Sequence, residues 1–246
     1  MSRRLPFLLD ASPGAPFPDP NLALREPDGL LAVGGDLSSQ RLLNAYRAGV
    51  FPWYSDGQPL LWWSPDPRTV FRTNGVHLSA RFRRQLRGSD WILRADTAFA
   101  RVMMACANAP RPGQDATWIT AQMLDAYVAL HRQGHAHSLE VWDAGTLVGG
   151  IYGVAIGQMF FGESMFSAAS GGSKAALAGL AHVLGSWGWP LIDAQVDNDH
   201  LGRMGAEQWP RAEFLALVAG QVQLEGTAEA WTRRVGDIPA ALLGAA

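Results

Sequence analysis

The sequence predicts a mixed α/β fold (α+β class), in which one mixed sheet has flanking helices and follows a small loop-rich N-terminal domain. The first ~70 residues hold most of the prolines around a single helical segment, SSQRLLNAYRAG. From Val70 onward, the hydrophobic pattern alternates between strands and helices. Ala144 and Gly145 then form a hairpin turn between two strand-like runs. We therefore expect a small domain over residues 1–69 and a larger one over residues 70–246.

The elements of the larger domain follow one another in a definite order. Helices are expected at SARFRRQLR, DTAFARVMMACAN and TAQMLDAYVALHRQG, with the strand WILRA after the first of them. A three-stranded meander follows, made of HSLEVWD, TLVGGIYGVAIG and QMFFGESMF. The chain then continues through SKAALAGLAHVLGSWG (helix), LIDAQV (strand), DHLGRMG (helix) and RAEFLALVAGQV (helix). This order is the one that an acetyltransferase-like sheet requires, although a fold alone does not give a function.

Composition excludes several classes of protein. A net charge of -2 argues against a wholly basic nucleic-acid coat, although a local basic patch remains compatible with it. Cys106 is the single cysteine, so neither an internal disulfide nor a thiolate zinc cage can form. The opening residues, MSRRLPFLLDASPG, lack the long apolar stretch of a secretory signal, so we expect none, and no apolar run in the sequence reaches membrane-spanning length. We expect a cytoplasmic protein with no membrane partner.

Two polar residues interrupt the run LIDAQV, which otherwise has the apolar pattern of a buried strand. Asp193 and Gln195 stand two apart, so their side chains are expected on one face of the sheet. A second carboxylate, Glu163, lies between aromatic and methionine residues in FFGESMFS. Buried carboxylates require partners. The three groups fit either a hydrogen-bond network that fixes strand register or an amide and carboxylate pair that orients and deprotonates a nucleophile.

Nine runs of sequence, taken together, are typical of one family. They are, in chain order, EPDGLLAVGGDLS, AYRAGVFPWYS, PLLWWSPDPR, TWIT, HAHSLEVW, LVGGIYGVAIG, FGESMFS, LIDAQV and RMGA. In this order they closely resemble the leucyl/phenylalanyl-tRNA–protein transferases, over residues 17–215. The resemblance implies an acetyltransferase-like domain that moves leucine or phenylalanine from charged tRNA to the N-terminal Arg or Lys of a protein. That transfer marks the acceptor for degradation by the N-end rule.

The resemblance also implies a mechanism. An aminoacyl ester is already activated, so transfer needs positioning and proton removal, and we expect neither a metal nor a cofactor. Gln195 is expected to accept a hydrogen bond from the attacking amine, while Asp193 holds and polarises that amide. Glu163 is expected to hold the acceptor amine or its positive side chain. Ala194 replaces a cysteine common in the family, and its side chain is expected on the opposite face of the strand.

A donor side chain that is leucine or phenylalanine requires a deep apolar pocket with an adaptable lining. The resemblance assigns this pocket to Ile151, Phe160, Met165 and Leu180, although each of them also suits an ordinary core position. Ile151 stands where methionine is common in the family, which predicts a slightly stiffer pocket.

The tRNA end of the donor requires aromatic and basic groups. Trp53 and Trp118 match family positions that hold the terminal aminoacyl-adenosine, with Tyr46 and Tyr127 as polar aromatic neighbours. The densest positive stretch is a candidate for contacts with the tRNA backbone, although it also fits a solvated helix face. It comprises Arg81, Arg83, Arg84 and Arg87.

Two other functions remain open at this point. The segment SGGSK before a helix could bind an anion, as in an ordinary acetyltransferase that uses acetyl-coenzyme A, but it lacks the full phosphate-loop spacing. A tRNA-binding module without catalysis is the other alternative, although it would not need buried polar groups on the sheet. His131, His135 and His137 lack a carboxylate at ligand spacing, so we expect them to bind no metal.

Overall fold

The computed structural model describes residues 5–12, 14–109, 118–227 and 229–245. Thr117, the first residue of the TWIT run, lies outside the described residues. The N-terminal elements are β1 (Phe7–Leu9), β2 (Leu30–Gly34), α1 (Ser39–Arg47), β3 (Phe51–Pro52) and β4 (Leu61–Trp63). The remaining strands are β5 (Arg68–Arg72), β6 (Ile92–Ala95), β7 (Ala136–Asp143), β8 (Thr146–Ile156), β9 (Met159–Ser167), β10 (Leu191–Gln195), β11 (Glu207–Trp209) and β12 (Ile238–Pro239). The remaining α-helices are α2 (Ala80–Arg87), α3 (Phe99–Asn108), α4 (Ala121–Arg132), α5 (Gly172–Ser186), α6 (Asp199–Arg203), α7 (Arg211–Gln221) and α8 (Trp231–Val235).

The strands form a four-stranded sheet, in the order β1-β2-β4-β3, and an eight-stranded sheet, in the order β11-β5-β10-β9-β8-β7-β6-β12. Within the larger sheet, β9 and β10 pair in parallel and the other neighbours pair antiparallel. The parallel pairing consists of Ile192 with Phe160 and Asp193 with Phe161. Beyond these residues the two strands no longer pair, and a wedge opens between them. This wedge positions the site described below.

Helices cover both faces of the larger sheet. One core forms where α5, α2, α6 and α8 pack on the first face, and the other core forms where α1, α3, α4 and α7 pack on the second. The second core continues into the four-stranded sheet, since it includes Leu31 and Trp62. Glycines let α5 begin close to β8: a Cβ on Gly149 would lie 2.4 Å from the backbone of Gly172. The axial position of α5 is therefore fixed against the sheet.

The predicted mixed α/β architecture is confirmed, since five strands and seven helices lie where the sequence pattern placed them. The short strands β5, β11 and β12 were not predicted, because each carries polar residues or proline rather than an alternating apolar pattern. The division between residues 69 and 70 stays a prediction, and β5 runs across it. Among the described residues, no helix is long and apolar enough to cross a bilayer.

Candidate active site

A cavity of about 470 Å³ opens where β9 and β10 separate. Strand β9 contributes Glu163 and Met165 to its wall, and β10 contributes Asp193 and Gln195. The loop after β3 adds the half-exposed ring of Trp53. Further lining residues include Trp118 before α4, Ile151 of β8, Leu177 of α5, and Asp197 and Asn198 after β10. Polar groups of the sheet thus meet an aromatic and apolar wall in one cavity.

Glu163 is the centre of a hydrogen-bond network across the wedge. Gln195 donates from Nε2 to Glu163 Oε1 at 2.7 Å, which joins β10 to β9. Tyr46 donates its hydroxyl to the same oxygen at 2.7 Å, and Tyr127 donates to Oε2 at 3.1 Å. The two tyrosine hydroxyls also lie within hydrogen-bonding distance of each other. Three side chains from three different elements therefore fix the orientation of one carboxylate.

Asp193 has a different set of partners. Its side chain is fully buried, and its two oxygens accept a bidentate pair of hydrogen bonds from Arg68. Arg68 Nε lies 2.8 Å from Oδ1 and Nη2 lies 2.7 Å from Oδ2. Oδ1 also accepts the backbone N–H of Gln195 at 2.9 Å. The expectation that Asp193 holds the side-chain amide of Gln195 is corrected: it holds the backbone of Gln195, while the amide bonds to Glu163.

The backbone at Gln195 departs from regular strand geometry. The register of β10 against β5 shifts between Asp193 and Gln195, and φ of Gln195 is +64°. Strand alternation therefore does not describe this segment, although Asp193 and Gln195 both line the cavity. Ala194, expected to face away, lines the same cavity.

Burial changes the proton affinities of the network. It raises the pKa of Glu163 to about 7, and the hydrogen bonds from Tyr46, Gln195 and Tyr127 only partly oppose this rise. Burial also raises the pKa of Tyr46 and of Tyr127 well above the usual range, and the neighbouring Glu163 charge adds to it. A carboxyl whose pKa is near 7 can exchange a proton at neutral pH. The network thus combines a carboxyl whose pKa is near 7 with two hydroxyls that stay protonated at neutral pH.

The structure separates the remaining candidate residues into two groups. Trp53, Trp118, Ile151 and Met165 line the cavity, and their proposed binding roles stay predictions. The other four lie in the packed interior and are not among the cavity-lining residues: Tyr46, Tyr127, Phe160 and Leu180. Tyr46 and Tyr127 reach the site only through Glu163, whereas Phe160 of β9 and Leu180 of α5 pack in the core.

Similarity to known proteins then decides the family. Residues 70–219 match the profile of the leucyl/phenylalanyl-tRNA protein transferase family, and residues 35–66 match the N-terminal domain of the same family. The chain belongs to this family. A leucyl/phenylalanyl-tRNA–protein transferase of Xanthomonas campestris pv. campestris (strain B100) is 68% identical over 96% of this chain and 95% of its own length. The transferase of Xanthomonas axonopodis pv. citri (strain 306) is 66% identical over 100% and 99%, respectively, and that of Xylella fastidiosa (strain 9a5c) 60% identical over 94% and 96%.

Membership of the leucyl/phenylalanyl-tRNA–protein transferase family confirms the sequence resemblance and makes the protein an aminoacyltransferase. It argues against both alternatives, the acetyl-coenzyme A enzyme and the tRNA-binding module without catalysis. At the start of α5, the backbone N–H of Ser173 is donated to Ser167 Oγ at 2.8 Å. Ser167 of β9 therefore already occupies one backbone N–H at the start of α5, while the N-cap residue Gly171 makes no side-chain capping hydrogen bond.

The arginine cluster lies on α2, away from the residues that line the cavity. Arg81, Arg84 and Arg87 are exposed, while Arg83 is half-buried. Arg87 donates from Nη1 to the backbone oxygen of Gly244 at 2.7 Å. Contact of this helix with the tRNA backbone stays a prediction.

Arg68, Leu177 and Asp197 are among the site residues that were missed in the sequence. Arg68 could have been sought, because a carboxylate in a buried strand requires a cationic or hydrogen-bonding partner. Leu177 lines the cavity one helical turn before Leu180. Leu177 and Leu180 lie on the same side of α5. Which of the two reaches the wedge depends on where this helix begins.

The three histidines lie apart from the cavity. Asp96 supplies a carboxylate that their spacing did not indicate: its Oδ2 is 2.7 Å from His137 Nδ1, and its Oδ1 is 3.9 Å from His131 Nδ1. His131 stacks on Phe99, and His137 stacks on Trp231. Within the part of the chain that the structure describes, no group of three or more His, Cys, Asp or Glu side chains is arranged to hold a metal ion.

Proposed function

We propose that the protein transfers leucine or phenylalanine from charged tRNA to the N-terminus of proteins that begin with Arg or Lys. One observation carries this proposal: the hydrogen bond between Gln195 and Glu163 crosses a wedge that aromatic and apolar side chains also line. The reaction takes place in the cytoplasm, where charged tRNA is available, and it marks the acceptor proteins for degradation by the N-end rule.

The donor occupies the cavity with its terminal adenine against the rings of Trp53 and Trp118. Single-stranded bases are usually held by aromatic faces, and both rings line the cavity. The aminoacyl side chain lies deeper, against Ile151, Met165 and Leu177. An unbranched Met beside branched residues accommodates both a leucine and a phenylalanine side chain.

The acceptor amine binds at the polar side of the wedge. The Nε2 group of Gln195 is already engaged with Glu163, which leaves Oε1 as the acceptor that this amide offers to the amine. Glu163 and Asp197 both line the cavity, so negative charge favours an acceptor that carries both an N-terminal amine and a basic side chain.

Glu163 is the base of this mechanism. The amine nitrogen attacks the ester carbonyl carbon, a C–N bond forms, and the bond from that carbon to the terminal ribose oxygen breaks. Glu163 takes one proton from the amine and returns it to the departing ribose oxygen, so that no net proton is consumed. Its pKa of about 7 suits both directions of proton transfer at neutral pH.

The test incubates the protein with leucyl-tRNA and a peptide that begins with Arg, and measures the mass of the peptide. We expect a product extended by one leucine, with much less product from a matched peptide that begins with Ala. A second reaction replaces leucyl-tRNA with acetyl-coenzyme A and is expected to give no product. Acetylation without leucine transfer would contradict the proposal.

A further inference from the structure

Arg68 is a fully buried cation that lies behind the catalytic wedge. Its guanidinium carbon lies 4.7 Å from the ring centre of Phe51 and 4.6 Å from that of Phe214. Its Nη1 donates to the backbone oxygen of Gly49 at 3.2 Å. These contacts fix the plane of the guanidinium, so that its other two nitrogens, Nε and Nη2, donate to the Asp193 carboxylate.

Gln195 adopts a backbone conformation that favours glycine. A φ of +64° places it in the left-handed region, which costs free energy for a residue with a Cβ. The backbone N–H of Gln195 is donated to Asp193 Oδ1, the oxygen that Arg68 Nε also contacts. The same turn of the backbone lets the Gln195 side chain reach Glu163 on β9. One continuous set of hydrogen bonds therefore runs from Arg68 through Asp193 and Gln195 to Glu163.

We infer that Arg68 is a positioning residue for aminoacyl transfer: through Asp193 it holds the Gln195 backbone in the turn that aims the amide at the acceptor amine. Arg68 is not among the residues that line the cavity, and it acts only through Asp193. Its role requires the planar two-donor geometry of arginine rather than positive charge alone. The inference rests on the proposed function, because its readout is the transfer reaction.

The test compares Arg68→Lys with Arg41→Lys. Arg41 is also fully buried, but it donates to the backbone oxygens of Asp10 and Ser12 in the N-terminal region. We expect both variants to unfold at a lower temperature than the unmodified protein. Arg68→Lys should lower kcat by about 100-fold, as small misplacements of catalytic groups do, and should leave the KM for leucyl-tRNA within about twofold. Arg41→Lys should keep the normal kcat.

A double variant keeps the inference testable if Arg68→Lys does not fold. Arg68→Met combined with Asp193→Asn removes both buried charges together, which buried ion pairs tolerate better than loss of one partner. If Arg68 acts through Asp193, the double variant transfers leucine as fast as Asp193→Asn alone. A double variant about 10-fold slower than Asp193→Asn, or a folded Arg68→Lys with normal kcat, would overturn the inference. Absence of transfer in the unmodified protein would instead contradict the proposed function.

Discussion

The two sides of the cavity are built differently. The polar side, formed by Glu163, Gln195 and Asp193, rests on fully buried partners and has hydrogen bonds to several elements of the fold. On the aromatic side, Trp53 is 38% exposed and meets Trp63 in a tilted ring contact. Groups that must hold one geometry during a reaction benefit from such a network, whereas a surface that binds and releases a ligand needs accessible rings. The comparison predicts that polar-side variants change the rate of transfer and aromatic-side variants change the affinity for the donor.

The largest effect is expected for Asp193→Asn. The change removes the charge that pairs with buried Arg68 and replaces one of the two acceptor oxygens with an amide donor, so the bidentate contact that holds the Gln195 turn is broken and both stability and geometry suffer. We expect a loss of about 3–5 kcal/mol in the free energy of unfolding, as for a broken buried ion pair. Well below the unfolding temperature, the folded variant should transfer leucine about 100-fold more slowly or worse.

Asp237→Asn is the matched control for that experiment. Asp237 makes an equally short bidentate pair with Arg94, but on the protein surface. Exposed pairs contribute little, so stability and transfer should both stay near normal. Near-normal transfer by a folded Asp193→Asn variant would show instead that Asp193 only fixes strand register.

The pH dependence of transfer tests the role of Glu163. Its pKa is raised to about 7, so the base form is present above that pH and is lost as the pH falls through it. The α-amino group of the acceptor, whose ordinary pKa is about 7.7–8.0, must also lose a proton. Below about pH 6, log(kcat/KM) should therefore rise with a slope of about 2 per pH unit.

Glu163→Gln removes one of these two ionisations. The residual transfer of this variant should follow a slope of about 1, set by the acceptor amine alone. An unchanged slope of about 2 would exclude Glu163 as the base and would return it to a purely structural role.

The next effect concerns affinity rather than rate. Trp53→Ala and Trp118→Ala should each weaken donor binding by about 1–3 kcal/mol, as loss of a base–aromatic stack does. The measurement is the Kd of a non-hydrolysable aminoacyl-adenosine analogue. Trp187 packs on Trp231 of α8 and does not line the cavity, so Trp187→Ala provides a tryptophan control whose Kd should not change. Unchanged affinity in both test variants would remove the aromatic side from the donor site.

The smallest effect is expected on α2. Replacing Arg81 and Arg84 with Ala should weaken the binding of intact leucyl-tRNA by a few-fold and flatten its salt dependence. The log–log slope should fall by about 1 for each phosphate that the helix no longer neutralises. The minimal aminoacyl-adenosine analogue and an Arg233→Ala control should behave normally. An equal loss with the minimal donor would mean that α2 supports the fold instead of binding tRNA.

The residues of the polar side could be predicted from the sequence, but the hydrogen bonds between them could not. Asp193, Gln195 and Glu163 stand out because polar groups interrupt apolar strands. The positive φ of Gln195 lies at a bulge in β10, which the alternating pattern of a strand does not predict. At this bulge the Gln195 backbone N–H bonds to Asp193, and the Gln195 side-chain amide bonds to Glu163. The sequence placed Tyr46 and Tyr127 near the site. It did not predict that both are buried beneath Glu163, because this depends on how α1 and α4 pack.

The aromatic and apolar side depends more heavily on tertiary structure. Trp53 and Trp118 come from separate loops, so only the folded chain brings them to one cavity. Phe160 and Leu180 were expected to line it and are packed in the core, whereas Leu177 takes part instead. A helical pattern predicts which side of α5 faces the sheet, but it does not predict how far along the wedge each residue of α5 lies. That position depends on the close approach of Gly149 and Gly172.

One titration tests the division between the two sides most directly. Single-turnover leucine transfer is measured against increasing leucyl-tRNA for Gln195→Ala and Trp53→Ala. At saturating donor, we expect Gln195→Ala to remain about 100-fold slow with a normal half-saturation concentration, because a positioned hydrogen bond is removed. Trp53→Ala should recover nearly the normal rate, at a higher half-saturation concentration. A normal saturated rate for Gln195→Ala, or a slow saturated rate for Trp53→Ala, would contradict this account.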